Sequence, residues 1–146
     1  MTRTQDLVPE KLHLTRPALP ARRAALVALA LLVLVSVAGY ALTVVASFLE
    51  NGLDAVPLSE VGGGTHGIET LSFPPSSTTQ LLGGLFLLLV PVASGLGSIV
   101  VGLDLLVDGP PRPRAERALG VAVLVLCVIA FAAYLSMEQL SVWWVD

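Results

Sequence analysis

Three long stretches of this chain are too apolar to belong to a water-soluble domain. Residues 24–49, 81–103 and 118–137 contain no Asp, Glu, Lys or Arg. An α-helix rises about 1.5 Å per residue, so each stretch is long enough to cross a hydrocarbon core roughly 30 Å thick. Charged residues make up 13% of the 146 residues, against about a quarter in soluble domains. The sequence therefore predicts an all-α integral membrane protein with three transmembrane helices and the lipid bilayer as its solvent.

The distribution of basic residues predicts an orientation. All eight Lys and Arg residues lie either before the first apolar stretch or between the second and the third. Short flanking segments rich in Lys and Arg stay in the cytoplasm, so we expect the N-terminus inside and the C-terminus outside. A cleaved signal peptide would also explain the first stretch. However, its 26 residues exceed the 7 to 15 that are typical of a signal-peptide core.

This topology divides the chain into seven segments. They are a cytoplasmic N-terminal tail (1–23), transmembrane helix 1 (24–49), an extracytoplasmic loop (50–80), transmembrane helix 2 (81–107), a cytoplasmic Pro/Arg hairpin (108–117), transmembrane helix 3 (118–138) and an extracytoplasmic aromatic tail (139–146). The N-terminal tail mixes charges with prolines and lacks helical periodicity, which is typical of disorder. The hairpin carries three arginines, enough for contact with anionic lipid but short of the 4 to 8 that indicate specific lipid recognition.

Small and hydroxyl-bearing residues recur at helical spacing in the first two helices. Such residues let membrane helices approach closely, and their hydroxyls seek partners across helices, so we expect them to form the packing faces. A homodimer seam is the alternative use of the same pattern. The candidate packing residues are Ser36, Gly39, Tyr40, Thr43 and Ser47 in the first helix, and Ser94, Ser98 and Gly102 in the second.

Pro91 interrupts the middle of the second helix. Proline removes one backbone hydrogen bond and pushes away the carbonyl of Leu87, so a kink is expected, with Ser94 or a neighbouring helix serving the freed group. A kinked, glycine-rich helix is typical of transporters, but it is also typical of close packing in a small bundle. The absence of an inverted repeat in the sequence favours close packing.

Two carboxylates follow the second apolar stretch and need a cation. Asp104 and Asp108 are four residues apart near a predicted helix C-terminus, where the macrodipole disfavours anions and like charges repel. Arg22, Arg23 and Arg112 lie at a matching depth. We therefore expect an interfacial ion-pair network, and the alternative for Asp104 is a proton or cation site.

The two segments predicted outside the cell, the loop 50–80 and the tail 139–146, offer few further indications of function. Trp143 and Trp144 are predicted as interfacial anchors of the aromatic belt. In the external loop Glu60, His66 and Glu69 make only a weak set of metal ligands, and the neighbouring glycines lack the Lys-Ser/Thr of a phosphate-binding loop. Cys127, the only cysteine, is expected to be a small buried hydrophobe.

No pattern in the chain predicts catalysis, a cofactor, a metal site or nucleic-acid binding. The only histidines are His13 and His66, which are predicted on opposite sides of the membrane, and there is no basic domain. Short loops and a preference for Arg over Lys favour a prokaryotic cell (cytoplasmic) membrane. We therefore expect a non-catalytic accessory or assembly subunit, bound to other membrane subunits or to itself. An oligomeric channel or transporter component that uses Asp104 and a Pro91 hinge is the alternative.

Overall fold

The computed structural model describes residues 19–56, 71–107, 113–137, 140, 143 and 144. Throughout these residues the regular structure is helical, and it contains three helices long and apolar enough to cross a membrane. The first span, Ala21–Glu50, is continuous through three elements. The elements in chain order are α1 (Leu19–Tyr40), a π-helical turn (Ala41–Val45), α2 (Ala46–Glu50), a 3-10 turn (Leu53–Ala55), α3 (Ser77–Leu106, the second span) and α4 (Arg114–Ser136, the third span).

Each span extends beyond the apolar stretch that predicts it. α1 begins at Leu19 and includes Arg22 and Arg23, which the sequence placed in the N-terminal tail. α3 begins at Ser77 rather than Leu81, and α4 begins at Arg114 rather than Ala118. Polar residues at these ends continue the helix because they complete its backbone hydrogen bonds while their side chains reach past the apolar surface.

Asn51 connects the end of the first span to the chain that leads into α3. Its Nδ2 donates to the Ser47 carbonyl at 2.8 Å and to the Phe73 carbonyl at 3.2 Å, and its Oδ1 accepts from the Phe73 N–H at 2.9 Å. Gly52 follows at φ +66°, a left-handed conformation that glycine adopts without strain and that commonly ends helices. The turn therefore ends the first span, and Asn51 fixes the backbone of Phe73 shortly before α3 begins.

Ser76 begins α3. Its side chain accepts a hydrogen bond from the Thr79 N–H at 3.2 Å, and its hydroxyl lies 2.8 Å from the Thr79 hydroxyl. This is the usual N-cap arrangement, which satisfies one of the free N–H groups of the first turn. Ser76, which follows Pro74 and Pro75, is thus the N-cap of α3.

The buried residues form two clusters, one toward each end of the bundle. We call the end that holds Arg22 the arginine end and the end that holds Trp144 the tryptophan end. Leu26, Val33, Ala93, Val101, Val123, Cys127 and Ala130 form the cluster on the arginine side. Tyr40, Val44, Phe48, Leu53, Val90, Trp143 and Trp144 form the cluster on the tryptophan side. Only 22 to 28% of each apolar window is buried, so most residues of each window are at least partly exposed.

Glycines allow the helices to approach at specific points. A Cβ atom on Gly97 would lie 3.0 Å from the Cys127 Sγ and 3.2 Å from a Leu29 methyl group, so the second span contacts both of the others there. A Cβ on Gly83 would overlap the Trp144 indole. Close packing of an interior leaves no room for even one added carbon at such positions.

The first span contains a feature that no sequence pattern indicates. Its Ala41–Val45 turn is π-helical, and the Ala46 N–H donates to the Ala41 carbonyl five residues back. Thr43 and Val44 of this turn are both buried, and the Thr43 hydroxyl donates to the Gly39 carbonyl at 2.7 Å. A π-turn widens the helix locally. Here it accompanies a broader buried face at the tryptophan end.

Pro91 lies inside α3, which continues from Ser77 to Leu106. The Ser94 hydroxyl donates to the Val90 carbonyl at 2.5 Å and not to Leu87, the carbonyl that the proline deprives of its donor. Of the two partners expected for the Leu87 carbonyl, Ser94 therefore donates elsewhere, and a partner on a neighbouring helix stays a prediction. The carbonyl four residues back is the nearest acceptor for a serine inside a helix.

Adjacent glycines in α3 provide a matched test of the packing. Gly83→Ala should lower the free energy of unfolding by about 1–3 kcal/mol, because the new methyl group displaces the Trp144 indole. Gly84→Ala meets nothing within 4 Å and should be neutral or stabilise by up to about 1 kcal/mol through helix propensity. Unfolding in mixed micelles, followed by tryptophan fluorescence, measures both. Equal effects of the two substitutions would contradict this packing.

Candidate functional site

One arginine connects all three spans at the arginine end. The Arg22 Nη2 forms an ion pair and hydrogen bond with the Asp104 Oδ2, and the Arg22 Nη1 lies 3.3 Å from the Glu116 Oε1. Arg22 belongs to α1, Asp104 to the last turn of α3 and Glu116 to the first turn of α4. We call these three residues the charge network. It is the site where the structure concentrates charged side chains.

Burial differs strongly among the three members of the charge network. The Glu116 side chain is 1% exposed, the Arg22 side chain 20% and the Asp104 side chain 40%. Neither carboxylate oxygen of Glu116 has a hydrogen-bond partner among the described residues, so its contact with Arg22 is mainly electrostatic. An isolated buried carboxylate is costly. Arg22 therefore compensates a charge that would otherwise be unfavourable in the bundle.

The helix ends contribute to the electrostatics of the network in opposite ways. Asp104 lies in the last turn of α3, where the negative end of the macrodipole disfavours a carboxylate. Glu116 lies in the first turn of α4, where the positive end favours one. The Glu116 N–H donates to the Pro113 carbonyl at 3.0 Å. Arg22 contacts Asp104, the carboxylate at the unfavourable helix end, more closely than it contacts Glu116.

The structure brings together only part of the ion-pair set that the sequence nominates. Arg22 and Asp104 meet, whereas Arg23 is exposed and forms no ion pair within the described residues. Asp108 and Arg112 lie outside the described residues. Sequence reasoning missed Glu116, which it assigned to the hairpin.

A sequence signal for Glu116 does exist. The buried residues of α4 are Glu116, Gly120, Val123, Cys127 and Ala130, which follow one another at spacings of four and three. This is the period of a single helix face. Extending that face back from the apolar stretch by one turn would have placed the glutamate inside the bundle.

The predicted packing residues lie mostly in the interior, but four of their hydroxyls donate within their own helices. Among the described residues, the following are buried: Ser36, Tyr40, Thr43, Ser47 and Ser94. Gly39, Ser98 and Gly102 are half-buried. Within their own helices, the hydroxyl groups of Ser36, Thr43, Ser94 and Ser98 donate to the carbonyls four residues back, at 2.5 to 2.7 Å. The expectation that these hydroxyls seek partners across helices is wrong, because the local carbonyl is nearer.

Trp143 and Trp144 pack inside the tryptophan end, although the sequence nominates them as interfacial anchors. Both are buried. The Trp143 ring meets the Phe48 ring edge-on, with centroids 5.4 Å apart, and the Trp144 Nε1 donates to the Gln80 carbonyl at 3.4 Å. Trp143 and Trp144 therefore pack against the first and second spans.

The residues that the structure describes contain no group of three or more His, Cys, Asp or Glu side chains able to hold a metal ion. Glu60, His66 and Glu69 lie outside those residues. The class that the fold and site define is an all-helical bundle with three candidate membrane spans joined by a charge network. No family model, curated protein sequence or solved structure with which the chain was compared matches it.

Arg22→Gln should be the most damaging change in the charge network, because it leaves two carboxylates without their shared cation. We expect a loss of about 3 kcal/mol in the free energy of unfolding, at the low end for a broken buried pair since Asp104 is 40% exposed. Glu116→Gln alone should cost less than about 1 kcal/mol, because it removes the buried charge and keeps the volume. Unfolding of the two variants in mixed detergent micelles measures both free energies.

The double variant Arg22→Gln with Glu116→Gln tests whether the two residues are coupled. It should be at least about 1 kcal/mol less destabilised than the sum of the single variants, as expected for residues in contact. Arg23→Gln is the matched control, since Arg23 is exposed, and it should change stability by no more than about 0.5 kcal/mol. Strict additivity in the cycle would refute a direct role for Glu116.

Proposed function

We propose that this protein is a non-catalytic accessory or assembly subunit of a membrane complex in the cytoplasmic (cell) membrane. The observation that carries the proposal is the contact of Arg22 with carboxylates of both other spans. These charged side chains join the helices to one another, which indicates that they stabilise the bundle. A site for chemistry would instead present such groups toward a substrate.

The outer surface of the bundle supports the same role. Large apolar side chains are exposed along every span, for example Leu31, Leu88 and Ile129. Lipid tails or the apolar helices of other subunits are the surroundings that such a surface suits. A bundle whose buried charges pair with one another and whose exterior is apolar is well suited to pack laterally in a membrane.

The orientation is part of the proposal. The arginine end faces the cytoplasm, so that the N-terminus is inside and the C-terminus outside. The supporting observation is the gathering of Arg22, Arg23, Arg114 and Arg117 at one end of the three helices, which the positive-inside tendency keeps in the cytoplasm.

Single cysteines at the two ends test this orientation. Ser72 and Val107 are exposed at the tryptophan end and the arginine end respectively. In intact cells a membrane-impermeant maleimide should label Ser72→Cys, and it should label Val107→Cys only after the membrane is permeabilised. The unchanged chain, whose Cys127 is fully buried, is the control and should stay unlabelled. The reversed labelling pattern would place the arginine end outside.

An oligomeric channel or transporter component is the second candidate. Two observations favour it, namely the position of Pro91 in the interior of α3 and the lack of a hydrogen-bond partner for the buried Glu116 carboxylate among the described residues. In this view a kink at Pro91 acts as a hinge and Asp104 binds the transported ion. The close pairing of Asp104 with Arg22 weighs against it, because the arginine occupies the place of a cation.

The mass of the complex after gentle detergent extraction separates these two candidates. The chain has a mass of 15.2 kDa. An accessory subunit should be recovered with unlike subunits at a fixed ratio, and the same complex should be recovered when the tag is moved to one of those subunits. A homogeneous multiple of 15.2 kDa would favour the channel or transporter. A monomer in membranes crosslinked before extraction would contradict both.

A further inference from the structure

Three arginines near the charge network have no ion-pair partner in the part of the chain that the structure describes. Arg23, Arg114 and Arg117 are all exposed, and in both ion pairs formed between described residues the cation is Arg22. We call these three residues the arginine patch. The charge network thus uses one arginine for the fold and leaves three positive charges on the surface.

The charge network sets the position of the patch. Arg23 follows Arg22 and Arg117 follows Glu116, and one residue along an α-helix is a turn of about 100°. Since the Arg22 and Glu116 side chains meet between the spans, the neighbouring arginines turn away from that contact. A helical rise of about 1.5 Å per residue keeps Arg23, Arg114 and Arg117 within about 3 Å of the depth of the network. They therefore form a band at one level on two adjacent spans.

This level is the edge of the apolar surface. Val27 lies four residues after Arg23, and Val121 lies four residues after Arg117, so each valine is one turn deeper on the same helix face. Both valines are exposed. On a bundle that spans a membrane, a band of arginines one turn above exposed apolar side chains lies at the level of the lipid headgroups.

We propose that the arginine patch binds the headgroups of anionic phospholipids. The guanidinium group matches the phosphate group in geometry and pairs with it through two parallel hydrogen bonds. The N-terminus of α4, which begins at Arg114 and has no side-chain cap, adds the positive end of its macrodipole at the same place.

The arrangement fits lipid better than it fits an acidic protein. The three side chains lie along the outer surface of two spans, above residues that face hydrocarbon, and so match a row of headgroups in one leaflet. A lipid surface also attracts each exposed arginine independently. The inference does not depend on the accessory role, because either candidate function leaves the patch at the headgroup level.

Native mass spectrometry of the full chain tests the proposal. The chain is equilibrated in mixed micelles with equal amounts of phosphatidylglycerol and phosphatidylcholine that carry the same acyl chains. It should retain phosphatidylglycerol at least fivefold over phosphatidylcholine, since one exposed arginine near an anionic surface is worth roughly that factor. Raising the ionic strength from about 0.1 M to 1 M should reduce the preference, because the screening length falls from roughly 10 Å to 3 Å.

Three variants identify the residues responsible. Replacing Arg23, Arg114 and Arg117 with Gln should reduce the preference to near unity. Replacing all three with Lys should keep only part of it, because the charges remain but the paired guanidinium hydrogen bonds are lost. A tail variant with Arg3, Lys11 and Arg16 changed to Gln loses the same number of charges and should keep the preference. Tryptophan fluorescence confirms that each variant is folded, and the single Gln variants replace the triple variant if that one unfolds.

Two results would overturn the proposal. Equal retention of both lipids by the unchanged chain would show that the patch does not bind anionic headgroups, and would leave an acidic protein as its partner. An undiminished preference in folded Gln variants, or its loss in the tail variant alone, would assign lipid binding to other basic residues.

Discussion

A carboxylate at the end of a membrane span needs a nearby cation, and in this protein one guanidinium group serves two carboxylates. Arg22 contacts Asp104 and Glu116, so that the first span is held to the second and the third by the same side chain. Planar guanidinium groups suit this role because their donors point in several fixed directions, whereas an ammonium group is a compact point charge. These contacts join the three helices at this end of the bundle.

At the opposite end of the bundle, complementary shapes of side chains hold the spans together. Gly83 leaves space for the Trp144 indole, and the Trp143 ring meets Phe48 edge-on. Aromatic rings pack well in such positions because they bury a large area with few rotatable bonds. The bundle therefore combines charge pairing at one end with aromatic packing at the other. Small residues such as Gly97 bring the helices together between the two ends.

For the serines and threonines of the spans, the sequence pattern predicts the buried face correctly but the hydrogen-bond partners of the hydroxyls wrongly. Their positions at helical spacing correctly indicate the interior, and Ser36 and Ser94 are almost completely buried. Their hydroxyls nevertheless bond within their own helices. In a helix the carbonyl four residues back is always within reach, whereas a partner across an interface requires a particular rotation of both helices. Periodicity predicts a face, but not what that face touches.

Much of the candidate site was accessible from the sequence. Asp104 stands out because it ends a long uncharged stretch, and Arg22 and Arg23 stand out because they directly precede the first apolar stretch. The choice of Arg22 over Arg23 is a matter of helix rotation, which differs by about 100° between neighbours. Glu116 was missed because three arginines nearby made its segment resemble a solvated hairpin, although it shares the buried face of Gly120 and Cys127.

Local chemistry determined the existence of the three helices and the separation of their charged and apolar segments. Long runs without ionisable groups give helices that are long and apolar enough to cross a membrane, because an apolar medium requires the backbone to satisfy its hydrogen bonds internally. Tertiary structure decided the rest. It determined which arginine turned inward, that Glu116 joined it, and that the two tryptophans packed against protein. These outcomes depend on how three helices rotate and shift against one another, and that is set by the sum of many contacts between distant residues rather than by any one segment.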